Sequence, residues 1–317
     1  MLRTNLENGA ITVVEAPMPE RPAGFALLRL MVAGICNTDL ELQRGYYGFS
    51  GTPGHEFVAE VVEADDRALV GRRVVGEINL GCGECAWCRR GMGRHCPRRS
   101  VLGIVRHPGA FAEYFTLPER NLLVVPEGMA RDRAGFVEPL AAACEILDQV
   151  SIPAGAPVAV LGDGKLGLLV AQVLAVHGCA VRLFGRHEEK MRIAAACGVA
   201  TQLADGELPV AAYDWVVEAS GSADGLRQAV AMARPRGTVI LKSTVHGAVE
   251  VDTAPIIVNE ITLVGSRCGR FEAALPLLGD ARIRTDEMIA ARFPLREAAQ
   301  AFERAGQRGV LKVLLEA

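Results

Sequence analysis

The distribution of apolar and polar residues divides the chain into two parts. Between about residue 10 and residue 125, short segments alternate apolar and polar side chains and are separated by Gly and Pro; they read ITVVEAP, FALLRLMVAG, FVAEVVEA, RRVVGEI, FAEYFTL and NLLVVPEG. Such alternation, bounded by turn residues, is typical of antiparallel strands. We therefore expect a barrel-like β domain in this part of the chain.

The pattern changes at Glu138, where the run EPLAAACEILDQV predicts a helix. After a linker at 153–157, the apolar strands VAVLG, AVRLFG, YDWVVEAS and GTVILKS alternate with helical segments. These helices are expected at about Lys165 to His177, Glu188 to Cys197 and Ser222 to Ala233. Strands that alternate with helices predict βαβ units and a parallel sheet. A further helix and strand are expected after about Arg284.

Composition excludes several classes of protein without indicating a function. The 317 residues suggest two domains, and with half of them hydrophobic and 22% charged the chain can bury a core. The net charge of -3 argues against a protein that coats nucleic acid. The N-terminal segment lacks the pattern of a signal peptide, and the most apolar stretch, Leu166–Val176, is too short to span a bilayer. We expect a soluble, cytoplasmic protein with neither nucleic-acid nor membrane partners.

The cysteines supply the first candidate chemistry. Nine cysteines without an export signal argue against a disulfide framework. Four of them lie on one turn-rich loop: Cys82, Cys85, Cys88 and Cys96. Four thiolates can surround a tetrahedral ion and leave no position for substrate, which is typical of structural zinc, although an iron–sulfur cluster is an alternative. Five nearby arginines would offset the negative charge of such a site: Arg89, Arg90, Arg94, Arg98 and Arg99.

A second, dispersed set of residues combines a thiol, an imidazole and carboxylates: Cys36, His55, Glu56 and Glu138. Mixed ligands of this kind occur in catalytic zinc sites, where three protein groups leave the fourth position to water or substrate. Each residue alone is a weak signal, because a lone cysteine or histidine is more often a packing or loop residue. The set becomes specific in combination with the four-cysteine loop and the βαβ pattern.

The third motif is a GxGxxG sequence directly after the strand VAVLG. Its glycines allow a tight turn and the close approach of a pyrophosphate to the N-terminus of the following helix. The motif predicts a dinucleotide site at five residues: Gly162, Gly164, Lys165, Leu166 and Gly167.

In this order the motifs resemble the zinc-dependent medium-chain dehydrogenases, the group of alcohol, polyol, sugar and threonine dehydrogenases. The resemblance covers the whole chain. It implies an α/β protein with a GroES-like β-barrel catalytic domain at 1–140, completed by 285–317. The residues between them, 141–284, would form a Rossmann domain with a doubly wound parallel sheet. The implied reaction is hydride transfer between an alcohol, polyol or sugar hydroxyl and NAD(P), catalysed by a homo-oligomer, dimeric or tetrameric.

The resemblance also implies two zinc ions per chain. The four clustered cysteines would hold the structural ion. Cys36, His55 and one or both of Glu56 and Glu138 would hold the catalytic ion. The pair Glu138-Pro139 is similar to the polyol and threonine dehydrogenase branch of the family.

Further roles follow from the same resemblance for residues near the zinc cysteine. Thr38 would take the proton of the substrate hydroxyl and pass it on, and Asp39 would orient a ligand imidazole. Relatives often carry a histidine five residues after this cysteine, where the chain has Glu41. Glu41 is open to two interpretations, a proton relay or an ordinary exposed residue.

The cofactor preference is predicted from the second strand of the βαβ region. NAD-specific Rossmann domains carry an acidic residue at the end of this strand, whereas here the strand ends in Gly185-Arg186. A missing carboxylate removes repulsion of a 2′-phosphate, and Arg186 can bind that phosphate. We therefore predict NADP in preference to NAD. Ser243, at the end of a later strand, is a candidate for contact with the nicotinamide.

Two other interpretations are compatible with parts of the sequence. The chain could be a non-catalytic protein that binds zinc and a nucleotide, but such a protein has no need of the open Cys36, His55 and Glu138 set. It could also be a zinc-free quinone or enoyl reductase of the same superfamily, which conflicts with both sets of metal ligands.

Overall fold

The computed structural model describes residues 1–244 and 249–317. The chain divides into two compact units, of which the first comprises Met1–Glu138 and Ile289–Ala317 and the second comprises Pro139–Met288. Among the helices of the described residues, none has the length and apolar character needed to cross a membrane.

The strands, in chain order, are β1 Leu2–Glu7, β2 Ala10–Glu15, β3 Phe25–Gly34, β4 Glu56–Glu63, β5 Arg73–Gly76, β6 Asn79–Leu80, β7 Ser100–Leu102, β8 Arg106–His107, β9 Tyr114–Pro118, β10 Leu122–Val124, β11 Pro157–Leu161, β12 Ala180–Gly185, β13 Ala200–Leu203, β14 Tyr213–Glu218, β15 Ala233–Leu241, β16 Thr262–Gly265, β17 Ile289–Pro294 and β18 Lys312–Glu316.

The α-helices are α1 Asn37–Gln43, α2 Ala86–Arg89, α3 Arg131–Ala134, α4 Val137–Gln149, α5 Lys165–His177, α6 Glu188–Ala195, α7 Gly225–Met232, α8 Ala254–Val258, α9 Phe271–Leu277 and α10 Ala298–Gly306. Short 3-10 helices lie at Tyr46–Gly48, Gly93–His95, Glu119–Asn121, Asp286–Met288 and Leu295–Glu297.

The first unit is built on a sheet with β3 near its centre. The strand order is β10-β5-β4-β3-β18-β17, and β9 also pairs with β3. All of these pairs are antiparallel except β17 with β18. Because strands flank β3 on both sides, it is buried along most of its length, which explains the nearly continuous apolar sequence FALLRLMVAG.

The C-terminal segment completes this sheet. β18 lies between β3 and β17, with Leu314 opposite Gly34. The amphipathic helix α10 buries one face, and its Phe302 ring meets Phe111 edge to face with 5.9 Å between centroids. The last residues of the chain are therefore part of the same core as its N-terminal strands.

The second unit is a six-stranded sheet in the order β13-β12-β11-β14-β15-β16. Every neighbouring pair is parallel. This is the strand order of a doubly wound Rossmann sheet, as the alternation of strands and helices predicts. The core between sheet and helices includes Leu161, Phe184, Val216 and Val239.

The helices of this unit follow the sequence predictions with two differences at their ends. Helix α5 has the predicted bounds, but α6 ends at Ala195 rather than Cys197, shortly before Gly198 with its φ of 82°. Helix α7 begins at Gly225 rather than near Ser222, because serine side chains form turns there: Ser220 Oγ accepts from Ser222 N at 3.1 Å.

Candidate active site and metal centres

The register of β3 and β4 brings the two halves of the candidate catalytic centre together. Gly34, at the end of β3, lies opposite Glu56, at the start of β4. Cys36 follows the first strand by two residues and His55 directly precedes the second, so an antiparallel pair delivers both side chains to one place. Candidate ligand atoms of Cys36, His55 and Glu56 lie within 4.8 Å of one another.

The chemistry of this group fits a zinc ion. A thiol, an imidazole and a carboxylate are all zinc ligands, and three of them leave a further position open. Glu56 is 1% exposed, and its Oε1 atom is buried with no hydrogen-bond partner in the part of the chain that the structure describes. A buried carboxylate oxygen in this situation is costly unless a cation or donor meets it. A metal ion beside Cys36 and His55 would meet that requirement.

Asp39 contacts both the backbone of Cys36 and the imidazole of His55. Cys36 caps helix α1, and its backbone N–H donates to Asp39 Oδ2 at 2.8 Å. The other carboxylate oxygen lies 3.3 Å from His55 Nδ1. Burial acts to lower the pKa of His55, but the negative charge of Asp39 and the contact with Cys36 outweigh it and raise that pKa well above its ordinary value. With Asp39 beside Nδ1, the other ring nitrogen, Nε2, is the one available to a metal, and metal binding would displace the ring proton.

Glu138 lies near this group but outside it. The residue is in the first turn of α4 and is buried. Burial raises the pKa of Glu138 to about 7, and the charge of Glu56 acts in the same direction while His55 opposes it. The structure therefore gathers three of the four candidate ligands within 4.8 Å and leaves Glu138 in electrostatic contact with them.

Thr38 and Glu41 both lie on helix α1. Thr38 Oγ1 is 3.8 Å from Cys36 Sγ, which places a half-buried hydroxyl beside the thiol. The Glu41 carboxylate accepts from Arg44 Nη1 at 2.6 Å, a pairing of neighbours on one helix face.

Lys312 is a residue of this site that sequence reasoning missed. It lies in β18, is 2% exposed, and donates from Nζ to Glu56 Oε2. Burial acts to lower the pKa of Lys312, but the negative charges of Glu56 and Cys36 dominate and raise it. The available signal was a lysine inside the apolar strand GVLKVLLEA, because a lysine is almost never fully buried without a partner.

The four clustered cysteines form a second candidate metal centre. Their sulfur atoms all lie within 4.8 Å of one another, with 3.9 Å between Cys82 and Cys88 and 3.7 Å between Cys85 and Cys96. A tetrahedron with Zn–S bonds of about 2.3 Å has sulfur–sulfur edges of about 3.8 Å, so the spacing fits a zinc ion. Donation from the backbone of Glu84 lowers the pKa of Cys82 to about 6, which favours the thiolate that a metal needs.

Of the five arginines near this loop, Arg98 contacts a cluster sulfur directly. Its Nη2 atom lies 3.3 Å from Cys82 Sγ and 2.8 Å from the Glu84 carboxylate. Arg90 instead lies over the Trp87 ring, 5.7 Å from its centroid. Charge compensation at the sulfur atoms therefore involves Arg98 more directly than Arg90.

The glycine-rich turn has the close packing that its sequence predicts. Gly162 has a φ of 118°, and a Cβ there would lie 2.4 Å from the Ala219 carbonyl oxygen. A Cβ on Gly167 would lie 1.9 Å from the Gly162 carbonyl oxygen. Gly164 caps helix α5, and Lys165 and Leu166 are its first residues. A helix N-terminus at such a turn is a site for phosphate.

Asp163, inside the same turn, holds the end of strand β12 in place. Its carboxylate accepts from the backbone N–H of Arg186 at 2.7 Å and of His187 at 2.6 Å, and lies 3.0 Å from His187 Nδ1. A Cβ on Gly185 would approach Asp163 Cβ to 2.6 Å, so this packing requires glycine there. Arg186 is exposed and lines a cavity of about 650 Å³. Sequence reasoning missed the role of Asp163.

Ser243 follows strand β15, where the sequence predicts a contact with the nicotinamide. In the structure its Oγ accepts from Gly221 N at 2.8 Å. The neighbouring Lys242 is buried and donates from Nζ to the Ala142 carbonyl oxygen at 2.6 Å.

Comparisons with known proteins identify the family of the chain. Residues 22–127 match the model of the alcohol dehydrogenase GroES-like domain, and residues 166–280 match that of the zinc-binding dehydrogenases. The chain is 28% identical to a sorbitol dehydrogenase of Halalkalibacterium halodurans, with 99% of this chain and 98% of the relative covered. It is 32% identical to an L-threonine 3-dehydrogenase of Streptomyces avermitilis, with 96% and 95% covered.

A solved structure is similar over the full length. A zinc-binding dehydrogenase of Sinorhizobium meliloti bound to NADP superposes with a TM-score of 0.90 at 29% identity, covering 100% of this chain and 99% of that one. The chain belongs to the zinc-dependent medium-chain dehydrogenase family. It is an oxidoreductase of the class that uses zinc and a nicotinamide cofactor, and the prediction of a GroES-like part with a Rossmann part is confirmed.

Proposed function

We propose that the protein oxidises or reduces a small polyol or sugar alcohol with NADP, using two zinc ions per chain. The observation that carries the proposal is the convergence of Cys36, His55 and Glu56 within 4.8 Å, with one buried carboxylate oxygen unpartnered. Cys36, His55 and Glu56 would hold the catalytic ion, with Glu138 close enough to interact. The four-cysteine cluster would hold the structural ion.

The chain's own groups have distinct tasks in this reaction. When bound, zinc acidifies a substrate hydroxyl as a Lewis acid, and the nicotinamide exchanges hydride with the adjoining carbon. Thr38 Oγ1, beside the zinc cysteine, would accept the hydroxyl proton and pass it toward solvent. Asp39 would keep the His55 ring oriented through Nδ1. Lys312 would hold Glu56 Oε2, so that Oε1 is the oxygen offered to the metal.

The cofactor assignment rests on the second unit. The turn formed by Gly162, Gly164, Lys165, Leu166 and Gly167 would bind the pyrophosphate, and Ser243 would lie near the nicotinamide. Arg186 would bind the 2′-phosphate of NADP, supported by its exposure beside a cavity and by the lack of an acid at the end of β12. The similar chain bound to NADP supports the same choice.

The substrate class and the assembly are inferred from other observations. The similarity to a sorbitol dehydrogenase supports a polyol substrate. Strand β16 is an edge of its sheet, and close to it Ile257 and Val258 are 71% and 79% exposed. Exposed apolar side chains beside an open sheet edge favour coverage by a second copy, so we propose a homo-oligomer, dimeric or tetrameric.

A substrate screen tests the proposal. Primary and secondary alcohols, polyols, aldoses, and the phosphates and aldonates of polyols would be supplied with NADP or NAD and followed at 340 nm, with zinc measured in the same preparation. We expect turnover of at least one polyol, a higher kcat/KM with NADP and two zinc ions per chain. A preparation with two zinc ions and bound cofactor that turns over no compound would refute the dehydrogenase proposal, and one zinc per chain would favour a non-catalytic zinc protein.

A further inference from the structure

A second cavity lies in the first unit, beside the loop that carries His55. Its volume is about 460 Å³, and its walls come from residues 47–52, residues 104–108 and Arg3 of β1. Arg3 and Arg106 contribute positive charge, and among the described residues that line the cavity none carries a carboxylate. The lining of the cavity therefore carries positive charge and no negative charge.

Two polar groups of the wall are buried without partners. Among the described residues, Arg3 Nε has no hydrogen-bond partner, and neither does Thr52 Oγ1, on a residue that is 2% exposed; both atoms are closed to solvent. A buried donor without an acceptor lowers the stability of the fold. A ligand with negative charge would be attracted by the Arg3 guanidinium, which belongs to a residue of the cavity wall.

The backbone around the cavity is held in an unfavourable conformation. Tyr47 and Arg106 both line it and have φ values of 59° and 52°, in the left-handed region that non-glycine residues rarely adopt. Arg106 Nη2 donates to the Arg99 carbonyl oxygen at 2.8 Å, and this bond fixes the orientation of the Arg106 guanidinium. Strain of this kind persists where the surroundings impose it and is concentrated at ligand sites.

The cavity wall is continuous with the metal loop. Thr52 precedes His55 by three residues, so at most about 11 Å of chain separates their Cα atoms. The Thr52 and Pro53 carbonyl oxygens accept from Gly109 at 2.7 Å and Phe111 at 3.0 Å, which ties the loop to the segment after Arg106. A Cβ on Gly109 would lie 2.2 Å from the Pro53 carbonyl oxygen, so the contact between the two segments leaves no room for a side chain at this position.

We propose that this cavity binds an anionic end group of the polyol substrate, a carboxylate or a phosphate, through the charged side chains of Arg3 and Arg106. The substrate is then an aldonate or a polyol phosphate rather than a neutral polyol. This inference rests on the proposed function for its reaction, but the anion site itself can be tested without turnover.

Matched substrate sets test the specificity. Sorbitol, mannitol and galactitol would each be compared with the aldonate and the monophosphate of the same carbon skeleton. We expect the anionic compound of a set to exceed its neutral parent in kcat/KM by about tenfold or more, because one charge-assisted hydrogen bond contributes a free energy of that order. Whether the aldonate or the phosphate is preferred identifies the end group. Equal or better turnover of the neutral parent would overturn the inference.

Two variants connect that preference to the cavity. Arg3→Gln and Arg106→Gln, made separately, are each expected to lower the ratio of kcat/KM between anionic and neutral substrate about tenfold. The matched control Arg308→Gln changes an exposed arginine of the same unit that does not line the cavity and should leave the ratio unchanged. A ratio that Arg3→Gln and Arg106→Gln both leave unchanged would contradict the proposal.

Binding of inorganic phosphate provides a test that needs no substrate. Isothermal titration calorimetry would measure the Kd of phosphate for the full chain, with NADP at saturation to occupy the cofactor site. Arg3→Gln should raise this Kd about tenfold, and Arg308→Gln should leave it unchanged. Identical phosphate affinity in wild type and Arg3→Gln would overturn the anion site even if the protein is an active dehydrogenase. Conversely, a chain that binds phosphate in this way but turns over no alcohol would refute only the proposed function.

Discussion

Lys312 Nζ and Glu56 Oε2 form an ion pair that is 2% and 1% exposed and joins residues 256 positions apart. The pair closes one side of the candidate catalytic centre, next to Cys36 and His55. A buried ion pair contributes little net stability, but removal of one partner leaves an uncompensated charge. The C-terminal strand thus determines the electrostatic environment of a carboxylate near the start of the fold.

Replacement of Lys312 by Met leaves the Glu56 carboxylate without its cation. We expect the free energy of unfolding of the metal-free chain to fall by about 3–5 kcal/mol, the usual cost of breaking such a pair. Zinc bound beside Glu56 would replace part of the lost charge, so the loss should be smaller in the zinc-loaded chain. Denaturant unfolding with and without a chelator measures both quantities.

The control is Lys190→Met, which removes a lysine from α6 in the other unit. Adding Glu56→Gln to Lys312→Met should recover part of the loss, because the unpaired charge is then removed. Equal stability of the two single lysine variants would show that the ion pair is not needed for the fold.

The two candidate carboxylates should differ in their effect on metal content. Glu56→Gln is expected to reduce zinc from two ions per chain to one after dialysis, because Glu56 lies within 4.8 Å of both other ligand atoms. Glu138→Gln should retain both ions, since Glu138 lies outside that group. Elemental analysis after dialysis decides between them, and loss of zinc from Glu138→Gln alone would reverse the assignment.

Asp163 is expected to affect the preference between NADP and NAD, although it lies in the glycine-rich turn and not at the end of β12. Asp163→Asn weakens the bonds that hold the Arg186 and His187 backbone, so the preference for NADP over NAD in kcat/KM should fall by about five- to tenfold. Asp214→Asn, at a half-buried aspartate of the same unit that pairs with Arg234, is the matched control. An unchanged preference in Asp163→Asn would mean that the Arg186 segment holds its conformation without this carboxylate.

The two metal centres should respond differently to the loss of a thiol. Cys82→Ser is expected to lose one zinc and to lower the unfolding temperature, because a structural zinc contributes directly to folding. Cys36→Ser is expected to lose turnover while its unfolding temperature changes much less. Zinc content, thermal unfolding and activity of both variants test this, and loss of fold in Cys36→Ser alone would exchange the two roles.

Cys144 in α4 predicts a pH effect at alkaline pH. Burial raises the pKa of its thiol from the ordinary 9.0 to about 11, so the folded state retains a proton that the unfolded state has lost between these values. The contribution of the neutral thiol is complete below pH 9 and decreases as pH rises toward 11. Wild type should therefore lose more unfolding free energy over that interval than Cys144→Ala; parallel curves would disprove the shift.

The sequence by itself determined the features that depend on neighbours in the chain. The Cys82 to Cys96 loop and the Gly162 to Gly167 turn could be identified because a metal cage or a phosphate turn needs residues at short, fixed spacings. The strand and helix patterns predicted the fold class for the same reason. The bounds of α6 and α7 were wrong by two or three residues, since turns made by Ser220 and Gly198 compete with helix formation.

Only the tertiary structure decided which distant residues meet. The register of β3 with β4 placed Glu56, and not Glu138, within 4.8 Å of the ligand atoms of Cys36 and His55. The insertion of β18 beside β3 brought Lys312 to Glu56. Asp163 reached Arg186, and Arg3 reached the cavity near Thr52, by packing across many residues of chain. Such contacts depend on strand order and burial, which no local spacing encodes.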